Sequence, residues 1–366
     1  MFSADDSRHM ARALTLAARG CESAHPNPMV GAVIVNDGEV VGEGWHERTG
    51  GPHAEIVALE TAAERARGAT AYVSLEPCSH HGRTPPCADA LVNAGIARVV
   101  AAMIDPNPDV AGAGLGRLEA AGLQVQVGLM EARAAELNRG FVRRIREGRP
   151  WVTLKVAASL DGATAMASGE SQWITGPAAR ADVQRLRASA GAIMTGVGTV
   201  IADDPRLTVR GAKAGAEQPV RVILDSDLRT PVTAEVLKQP GETRIYYCGD
   251  PVRDDLAENG ATLVPVRDDS RGVRIADVLA DLGEREINHV LVEAGAILAG
   301  SLVAGGWVDE LVLYQAPKIL GSTTRPLLET PAWRRLDQGL NLDIIDTRTV
   351  GDDIRILARP KRHAET

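Results

Sequence analysis

The sequence predicts an α/β protein with two domains, on three observations. The chain has 366 residues, and a domain of ordinary size has about 150 residues, so two separate cores are expected. Strand-like segments alternate with segments of helical periodicity in both halves of the chain. A basic run with helix breakers, Arg143-Arg144-Ile145-Arg146-Glu147-Gly148-Arg149-Pro150, separates the halves. The predicted domains are therefore residues 1–148 and 149–366.

In the first half, predicted helices and strands follow one another closely. Ser7 is the predicted N-cap of a first helix whose apolar side includes Met10 and Leu14. Asn36-Asp37-Gly38 is typical of a tight turn between the two strands of a hairpin. We predict a helix after Pro52, further helices at residues 88–93, 115–121 and 131–145, and strands at residues 30–35, 39–42, 71–75, 97–103 and 123–127. This alternation predicts a sheet covered by helices on both faces, with ligands at the carboxyl ends of strands.

The second half shows the same alternation. Strands are predicted at residues 151–157, 192–195, 220–225, 244–247, 289–293 and 310–314, and helices at residues 177–190, 275–282 and 296–303. No internal repeat and no low-complexity tract interrupts the pattern.

Composition limits the class of function. The net charge is -8, the pI is about 5.6 and aromatic residues make up 3% of the chain, so we expect no nucleic-acid partner and favour a small-molecule substrate. No apolar run reaches the roughly 18 residues of a membrane span, and the acidic N-terminus lacks the pattern of a secretory signal. We therefore expect no membrane association and a cytoplasmic location. The sequence leaves the oligomeric state open, and a homo-oligomer is one alternative.

The strongest chemical signal is a set of potential zinc ligands in the first half. His53-Ala54-Glu55 precedes Pro77-Cys78, and Cys87 follows. Zinc deaminases use one His and two Cys ligands, leave the fourth position to water, and use a Glu outside the ligand set to move protons. Zinc lowers the pKa of that water to about 7, so it can attack a ring carbon at neutral pH.

Placement in the predicted elements supports this interpretation. His53 and Glu55 lie at one predicted helix start and Cys87 at another, where the helix N-terminus favours a thiolate. Two alternatives stay open: the cysteines are buried thiols, or His80 or His81 completes a purely structural zinc site. Glu55 favours catalysis, because a structural site has no use for it.

These motifs resemble a known family. The block Pro77-Cys78-Ser79-His80-His81-Gly82-Arg83-Thr84-Pro85-Pro86-Cys87, with His25-Pro26-Asn27-Pro28-Met29-Val30-Gly31 before it, is similar to the bifunctional deaminase/reductase of riboflavin biosynthesis. The long gap between the cysteines departs from the two-residue gap of most cytidine and adenosine deaminases and is typical of the riboflavin enzyme. The resemblance implies a cytidine-deaminase-like αβα sandwich, followed by an α/β domain like that of dihydrofolate reductase.

For the first half, the resemblance implies zinc on His53, Cys78 and Cys87, with Glu55 as the catalytic proton shuttle. It implies substrate contacts at Asn27, His80, Arg83, Asp105 and Asn107, and His46 is a further candidate. Turn formation is the alternative role of Asn27 and Asn107, because both precede a proline. A solvated loop charge is the alternative for Arg83.

The second half gives a weaker signal from its residues alone. The segment from Glu293 to Ser301 follows an apolar strand and opens a predicted helix, whose N–H groups could hold a diphosphate. Gly196-Val197-Gly198-Thr199 is a second place where backbone could approach a dinucleotide. The first of these segments lacks the Gly-x-Gly-x-x-Gly pattern, and tight packing is its alternative role. Neither segment identifies a cofactor alone.

Here the resemblance rests on Lys155-Val156-Ala157-Ala158-Ser159-Leu160-Asp161-Gly162, on Ser171-Gln172-Trp173-Ile174-Thr175 and on the segment from Ala202 to Arg210. It implies NADPH contacts at Ala157, Trp173, Thr199, Asp203, Ser226, Gly295, Ala296, Ile297, Leu298, Ala299, Gly300 and Ser301. It implies substrate contacts at Ser171, Arg187, Leu207, Arg210 and Glu293. Core packing is the alternative for Trp173 and Leu207, and a solvated helix face is the alternative for Arg187. Lys155 and Asp203 are the two candidates for the proton donor.

The family resemblance implies two consecutive reactions on one pyrimidine ribosyl phosphate. The first removes an amino group from 2,5-diamino-6-(ribosylamino)-4(3H)-pyrimidinone 5′-phosphate, and the second uses NADPH to reduce the ribosyl group to ribityl. The nearest alternative is a nucleotide or RNA deaminase with an unrelated C-terminal domain. A zinc-stabilised binding module is the alternative without catalysis.

Overall fold

The computed structural model describes residues 1–79, 86–108, 110–211, 217–250, 252–269 and 272–361. The chain divides into two compact units, Met1–Gly148 and Arg149–Thr366. We call these the first and the second unit. None of the described helices is both long and apolar enough to cross a membrane.

The first unit consists of a five-stranded sheet and six α-helices among its described residues. The strands are β1 (Gly31–Asn36), β2 (Glu39–Trp45), β3 (Thr70–Val73), β4 (Arg98–Ala101) and β5 (Gln124–Val127). The helices are α1 (Ala4–Ala17), α2 (Ala54–Ala62), α3 (Cys87–Asn93), α4 (Ala113–Ala120), α5 (Glu131–Leu137) and α6 (Arg139–Glu147). The sheet order is β2-β1-β3-β4-β5, with antiparallel pairs at β1 and parallel pairs from β3 to β5.

Two details of the helices differ from the sequence prediction. The N-cap of α1 is Ser3, and Ser7 lies inside the helix, so the predicted cap was wrong. Ser3 Oγ accepts a hydrogen bond from the backbone of Asp6, while the Asp6 carboxylate accepts one from the backbone of Ser3. This reciprocal arrangement begins the helix four residues earlier than a cap at Ser7 would. The single helix predicted for residues 131–145 is two helices, which meet at Asn138.

Helices cover both faces of this sheet. On β1, Ala32 and Ile34 face a core shared with α2, α3 and α4, whereas Val33 and Val35 face a core shared with α1 and α5. Successive side chains of a strand point to opposite faces, so one strand serves both cores. The αβα layering expected for the first half is confirmed.

The second unit has eleven described strands, nine of which form one large sheet. Its strands are β6 (Trp151–Ser159), β7 (Ala163–Met166), β8 (Ala192–Gly196), β9 (Val220–Leu224), β10 (Thr243–Tyr247), β11 (Ala261–Pro265), β12 (His289–Glu293), β13 (Glu310–Ala316), β14 (Thr324–Pro326), β15 (Leu342–Val350) and β16 (Asp353–Pro360). Its α-helices are α7 (Pro177–Ala188), α8 (Val197–Asp203), α9 (Asp254–Glu258), α10 (Ile275–Glu284) and α11 (Ala296–Ala304). The large sheet has the order β11-β10-β9-β8-β12-β6-β13-β16-β15, and β7 pairs separately with β14.

In this order, the first seven strands, from β11 at the edge to β13, are parallel to one another. Strands β16 and β15 continue the sheet as an antiparallel hairpin. Helices again lie on both faces: α10 and α11 pack on Val152, Met194 and Val292, whereas α8 packs on Ile193 and Ile223. The α/β class of the second half is confirmed. Sequence reasoning missed β7, β11, β14, β15 and β16. The first three are short and β15 is exposed, so they lack a clear apolar pattern, whereas β16 buries the charged residues Asp353 and Arg355.

Candidate active sites

The first unit brings the three predicted zinc ligands together. His53 caps α2, Cys87 is the first residue of α3, and Cys78 lies in the segment after β3. The Nδ1 atom of His53 lies 3.2 Å from Sγ of Cys87 and 3.6 Å from Sγ of Cys78. The three ligand atoms all lie within 4.8 Å of one another.

This donor set fits a tetrahedral zinc ion. Zn–S bonds of about 2.3 Å and Zn–N bonds of about 2.0 Å place sulfur and nitrogen about 3.5 Å apart. Hydrogen bonding with Cys87 lowers the pKa of the Cys78 thiol to about 4. The same contact, with burial, raises the pKa of Cys87. The two sulfurs share one negative charge in this arrangement, and a divalent cation between them would stabilise both as thiolates.

Glu55 lies beside the ligand cluster without belonging to it. It occupies the first turn of α2 and is only 3% exposed. Burial raises the pKa of this carboxyl group to about 7. Its place next to His53 and Cys87, outside the ligand set, is the place that the sequence pattern predicts for a proton shuttle.

His46 connects the predicted contact Asn27 with the zinc ligands. Its Nε2 lies 3.0 Å from Nδ2 of Asn27, and its Nδ1 lies 3.1 Å from the carbonyl oxygen of Pro52. The amide of Asn27 donates to Nε2, so Nδ1 carries the proton that is donated to Pro52. Burial lowers the pKa of His46, which favours this neutral form. The ring of His46 meets that of His53 edge-on, with centroids 5.5 Å apart.

Asp105 and Asn107 follow β4 and are half-buried. Strands β3 and β4 are parallel neighbours, so the segment with Cys78 and the segment with Asp105 leave the same edge of the sheet. The predicted contacts His80 and Arg83 lie outside the described residues.

The second unit contains a large cleft of about 1870 Å³. Sites for single drug-sized ligands usually measure about 300 to 1,000 Å³, so this cleft has room for a dinucleotide and a second molecule. Fifteen of the predicted contacts line it: Ala157, Ser171, Trp173, Arg187, Thr199, Asp203, Leu207, Arg210, Ser226, Glu293, Gly295, Ala296, Ile297, Leu298 and Ser301.

Two predicted cofactor contacts do not line this cleft. Ala299 is fully buried in the core, and Gly300 packs against backbone, because a Cβ there would lie 2.0 Å from the carbonyl oxygen of Glu329. Both residues hold α11 in place. Leu207 borders the cleft but is only 2% exposed and belongs to a core cluster, so core packing explains part of its role.

A compact ion-pair cluster lies in the cleft. Lys155 and Glu293 occupy matching positions of the parallel strands β6 and β12, and Lys155 Nζ lies 3.5 Å from the Glu293 carboxylate. Arg187 donates to both carboxylate oxygens of Glu293, at 2.6 and 3.2 Å. Burial raises the pKa of Glu293, but the two cations outweigh burial and hold that pKa at about 2. Glu293 therefore stays ionised at any physiological pH.

This cluster changes one expectation. Arg187 is an implied substrate contact, but Glu293 uses two of its donor groups and the carbonyl oxygen of Thr208 uses the third, at 2.9 Å. Arg210 also lines the cleft, and its side chain forms no ion pair with any residue in the described ranges. Arg210 is thus the better placed of the two for an incoming anion.

Sequence reasoning missed Arg325, which also lines the cleft. Burial raises the pKa of Asp203, and the positive charge of Arg325 opposes that shift. Arg325 lies in the short strand β14, paired with Ala165 of β7. No motif marks this position, because only the pairing of two distant short strands brings it to the cleft.

Comparison with known proteins identifies the family. Residues 3–103 match the cytidine and deoxycytidylate deaminase zinc-binding region, and residues 150–356 match the RibD C-terminal domain. The riboflavin biosynthesis protein RibD of Escherichia coli (strain K12) is 50% identical over 361 residues, which cover 95% of this chain and 98% of that protein. The chain belongs to the RibD family. The RibD protein of Haemophilus influenzae is 46% identical over 98% of this chain and 99% of its own length.

Solved structures agree with this RibD membership. RibD of Acinetobacter baumannii superposes with a TM-score of 0.91 at 45% identity, over 98% of this chain and 99% of that chain. A Thermotoga maritima protein, named a diaminohydroxyphosphoribosylaminopyrimidine deaminase/5-amino-6-(5-phosphoribosylamino)uracil reductase, superposes with a TM-score of 0.86 at 32% identity, over 98% and 99% of the two chains. The prediction of a bifunctional deaminase and reductase of riboflavin biosynthesis, with zinc and NADPH as cofactors, is confirmed.

The ligand set can be tested by metal content. We expect Cys87→Ser to weaken zinc binding more than about 100-fold. Loss of a residue that only hydrogen-bonds to a metal ligand typically lowers metal affinity 10- to 100-fold, so loss of a ligand itself should cost more. Cys21→Ser is the matched control, since Cys21 is exposed and distant in sequence from the ligands. Zinc is measured by atomic emission after dialysis against a weak chelator. Equal zinc in Cys87→Ser and Cys21→Ser would contradict the ligand assignment.

Proposed function

We propose that residues 1–148 form the deaminase domain and residues 149–366 the reductase domain, acting in turn on one substrate. The first removes an amino group from 2,5-diamino-6-(ribosylamino)-4(3H)-pyrimidinone 5′-phosphate by hydrolysis. The second reduces the ribosyl group of 5-amino-6-(5-phosphoribosylamino)uracil to ribityl with NADPH. The observation that carries this proposal is that Glu55 is buried beside a complete His-Cys-Cys donor set. This set lies in the unit whose residues 3–103 match the deaminase zinc-binding region.

The residues around the donor set divide the work of deamination. His53, Cys78 and Cys87 would hold the zinc ion, which when bound supplies an activated water at neutral pH. The Glu55 carboxylate accepts a proton from that water and returns it to the departing amino group. Asn27, held by the neutral His46, orients the pyrimidine, together with Asp105 and Asn107.

In the reductase domain, one set of cleft residues binds the cofactor and another set binds the sugar phosphate. The N-terminal turn of α11, beginning at Gly295, presents free N–H groups to the NADPH diphosphate. Ala157, Trp173, Thr199, Asp203 and Ser226 contact the rest of the cofactor. Arg210, Ser171 and the pair of Arg187 with Glu293 face the substrate. Lys155 and Asp203 line the cleft and are our candidates for the donor of the proton that accompanies hydride transfer.

Replacing Glu55 by Gln separates the two activities. We expect Glu55→Gln to keep zinc and reductase activity and to lose deaminase activity by roughly 100- to 10,000-fold, because an amide cannot shuttle protons. Ammonia release from the diaminopyrimidine substrate and NADPH oxidation with the deaminated substrate measure the two steps. Glu60→Gln on the exposed side of the same helix is the control. Deamination at the normal rate by zinc-loaded Glu55→Gln would refute the proton-shuttle role.

Arginine truncation tests the substrate side of the cleft. We expect Arg210→Ala to weaken sugar-phosphate binding about tenfold or more while NADPH affinity stays unchanged. The reason is that the Arg210 guanidinium binds the phosphate of the substrate and not a phosphate of NADPH. Arg187→Ala should weaken substrate binding too, because among the described residues Lys155 would be the one remaining cationic partner of Glu293. Arg185→Ala, on the same helix and 79% exposed, is the control. Binding constants for substrate and NADPH are measured separately. Weaker NADPH binding with normal substrate binding would reverse the assignment.

The remaining proposals concern location and partners. We propose a cytoplasmic enzyme that takes small molecules and no nucleic acid, on the support of a net charge of -8 and four free cysteines. We also propose that the chain forms a homo-oligomer through β15. This strand lies at the edge of the sheet and, among the described residues, pairs only with β16, yet it exposes Ile344 and Ile345. An antiparallel pair of two β15 strands centred on Thr347 would place Asp346 of each copy opposite Arg348 of the other.

A charge placed on β15 tests self-association. We expect the native chain to sediment as a species heavier than its 38.7 kDa monomer and Ile344→Lys to shift it toward the monomer, because two lysines would face apolar side chains across the pairing. Val252→Lys is the matched control, since Val252 is 80% exposed and lies far from β15 in sequence. Sedimentation velocity measures the mass. A monomeric native chain, or an unchanged mass in Ile344→Lys, would contradict the proposal.

A further inference from the structure

The carboxylate of Glu76 closes both ends of the segment that carries Asp105 and Asn107. Glu76 follows β3 and is only 5% exposed. Its Oε2 accepts hydrogen bonds from the backbone N–H of Asp105 at 3.1 Å and of Gly112 at 3.0 Å. Its Oε1 accepts from Gly114 at 2.9 Å and from Leu115 at 3.4 Å. One side chain thus binds the start of the segment, its end and the first turn of α4.

The inside of the segment is held as well. The N–H of Asn107 donates to the Asp105 carboxylate at 2.9 Å. The carbonyl oxygen of Asn107 accepts from Val110 at 3.0 Å and from Ala111 at 2.9 Å. Hydrogen bonds therefore hold both the N–H and the carbonyl group of Asn107. At the two ends of the segment, the N–H groups of Asp105 and Gly112 both donate to the Glu76 carboxylate.

The Glu76 carboxylate has no cation beside it within the part of the chain that the structure describes. Its negative charge is stabilised by backbone N–H groups, two of them at the N-terminus of α4. A buried carboxylate with this many donors is fully satisfied, and its removal would leave buried N–H groups without an acceptor. Simple loop formation needs no such buried charge, because exposed turns of this length satisfy their backbone with water.

Glu76 also joins this segment to the zinc ligands. Cys78 follows Glu76 by two residues, and Pro77 between them packs directly on α4, since a Cβ on Gly114 would lie 1.9 Å from the Pro77 carbonyl oxygen. The backbone of Glu76 donates to Met103, just before the segment begins. Two peptide bonds join Cys78 to Glu76, and hydrogen bonds join Glu76 to Asp105 and Asp105 to Asn107. Glu76 therefore sets the distance between Cys78 and Asn107.

We infer that Glu76 is a positioning residue of the deaminase, which fixes Asp105 and Asn107 relative to the zinc ligands and thereby sets the affinity for the pyrimidine. This inference rests on the proposed function, in which Asp105 and Asn107 contact the substrate. Among the described residues, the Glu76 carboxylate hydrogen-bonds to backbone N–H groups and to no zinc-ligand side chain, so its role is to hold the segment. A misplacement of about 1 Å in such a contact is enough to cost about 100-fold in rate.

The test is Glu76→Gln in the full-length, zinc-loaded chain, with Glu60→Gln as the matched control. Glutamine keeps the size of the side chain but turns one of its two acceptors into a donor, so two of the four N–H groups lose their partner. We expect unchanged zinc content, a 10- to 100-fold lower kcat/KM for deamination expressed mainly in KM, and normal reductase activity. Hydrogen exchange should become at least tenfold faster in peptides covering 105–115, with no change in β1 and β3.

Two results would overturn the inference. One is Glu76→Gln with normal KM and normal exchange in peptides covering 105–115, which would show that the segment holds itself. The other is loss of zinc with faster exchange throughout the first unit, which would show that Glu76 serves general stability. The exchange measurement needs no substrate, so it decides whether Glu76 holds the segment even if the native chain fails to deaminate. That failure would refute the proposed function separately.

Discussion

Parallel pairing of neighbouring strands is the constraint on which both sites depend. In the first unit, β3 and β4 run side by side, so the segments that carry Cys78 and Asp105 emerge at one edge. In the second unit, β6 and β12 are paired in register with Lys155 opposite Glu293. Parallel strands direct all their carboxyl ends to the same edge, where helix N-termini also begin. Residues far apart in sequence therefore meet without long loops.

A close approach between backbone and backbone places the first-unit site on its sheet. A Cβ on Gly42 would lie 2.2 Å from the carbonyl oxygen of Ala58, and one on Gly44 would lie 2.4 Å from that of Ala54. Helix α2 can rest on β2 only because both strand positions are glycine, which leaves room for the helix backbone. Ala54 lies between His53 and Glu55, so this contact fixes the proposed zinc ligand and the proposed proton shuttle together.

Buried charge is compensated differently in the two units. Cys78 and Cys87 lie together with His53, and their contact lowers the pKa of one thiol and raises that of the other, an arrangement that a bound cation would stabilise. Glu293 in the second unit is compensated from within the protein by Arg187 and Lys155. Glu76 shows a third solution, because its partners in the described part of the chain are backbone N–H groups. Removing one partner of a buried charge is costly, which ties each of these groups to its neighbours.

The sequence by itself determined the α/β class, most of the parallel strands, the candidate zinc ligands His53, Cys78 and Cys87, and the nearby Glu55. Each of these has a local signal: apolar periodicity for the strands and a fixed combination of residue types for the metal site. Only the tertiary structure decided that Arg187 is already paired with Glu293 and that Ala299 and Gly300 pack in the interior. It also decided that Arg325 lines the cleft and that Glu76 binds the backbone of the segment after β4. Strand register, side-chain direction and backbone hydrogen bonds decide these contacts, and they arise between residues distant in the chain, where a local pattern carries no information.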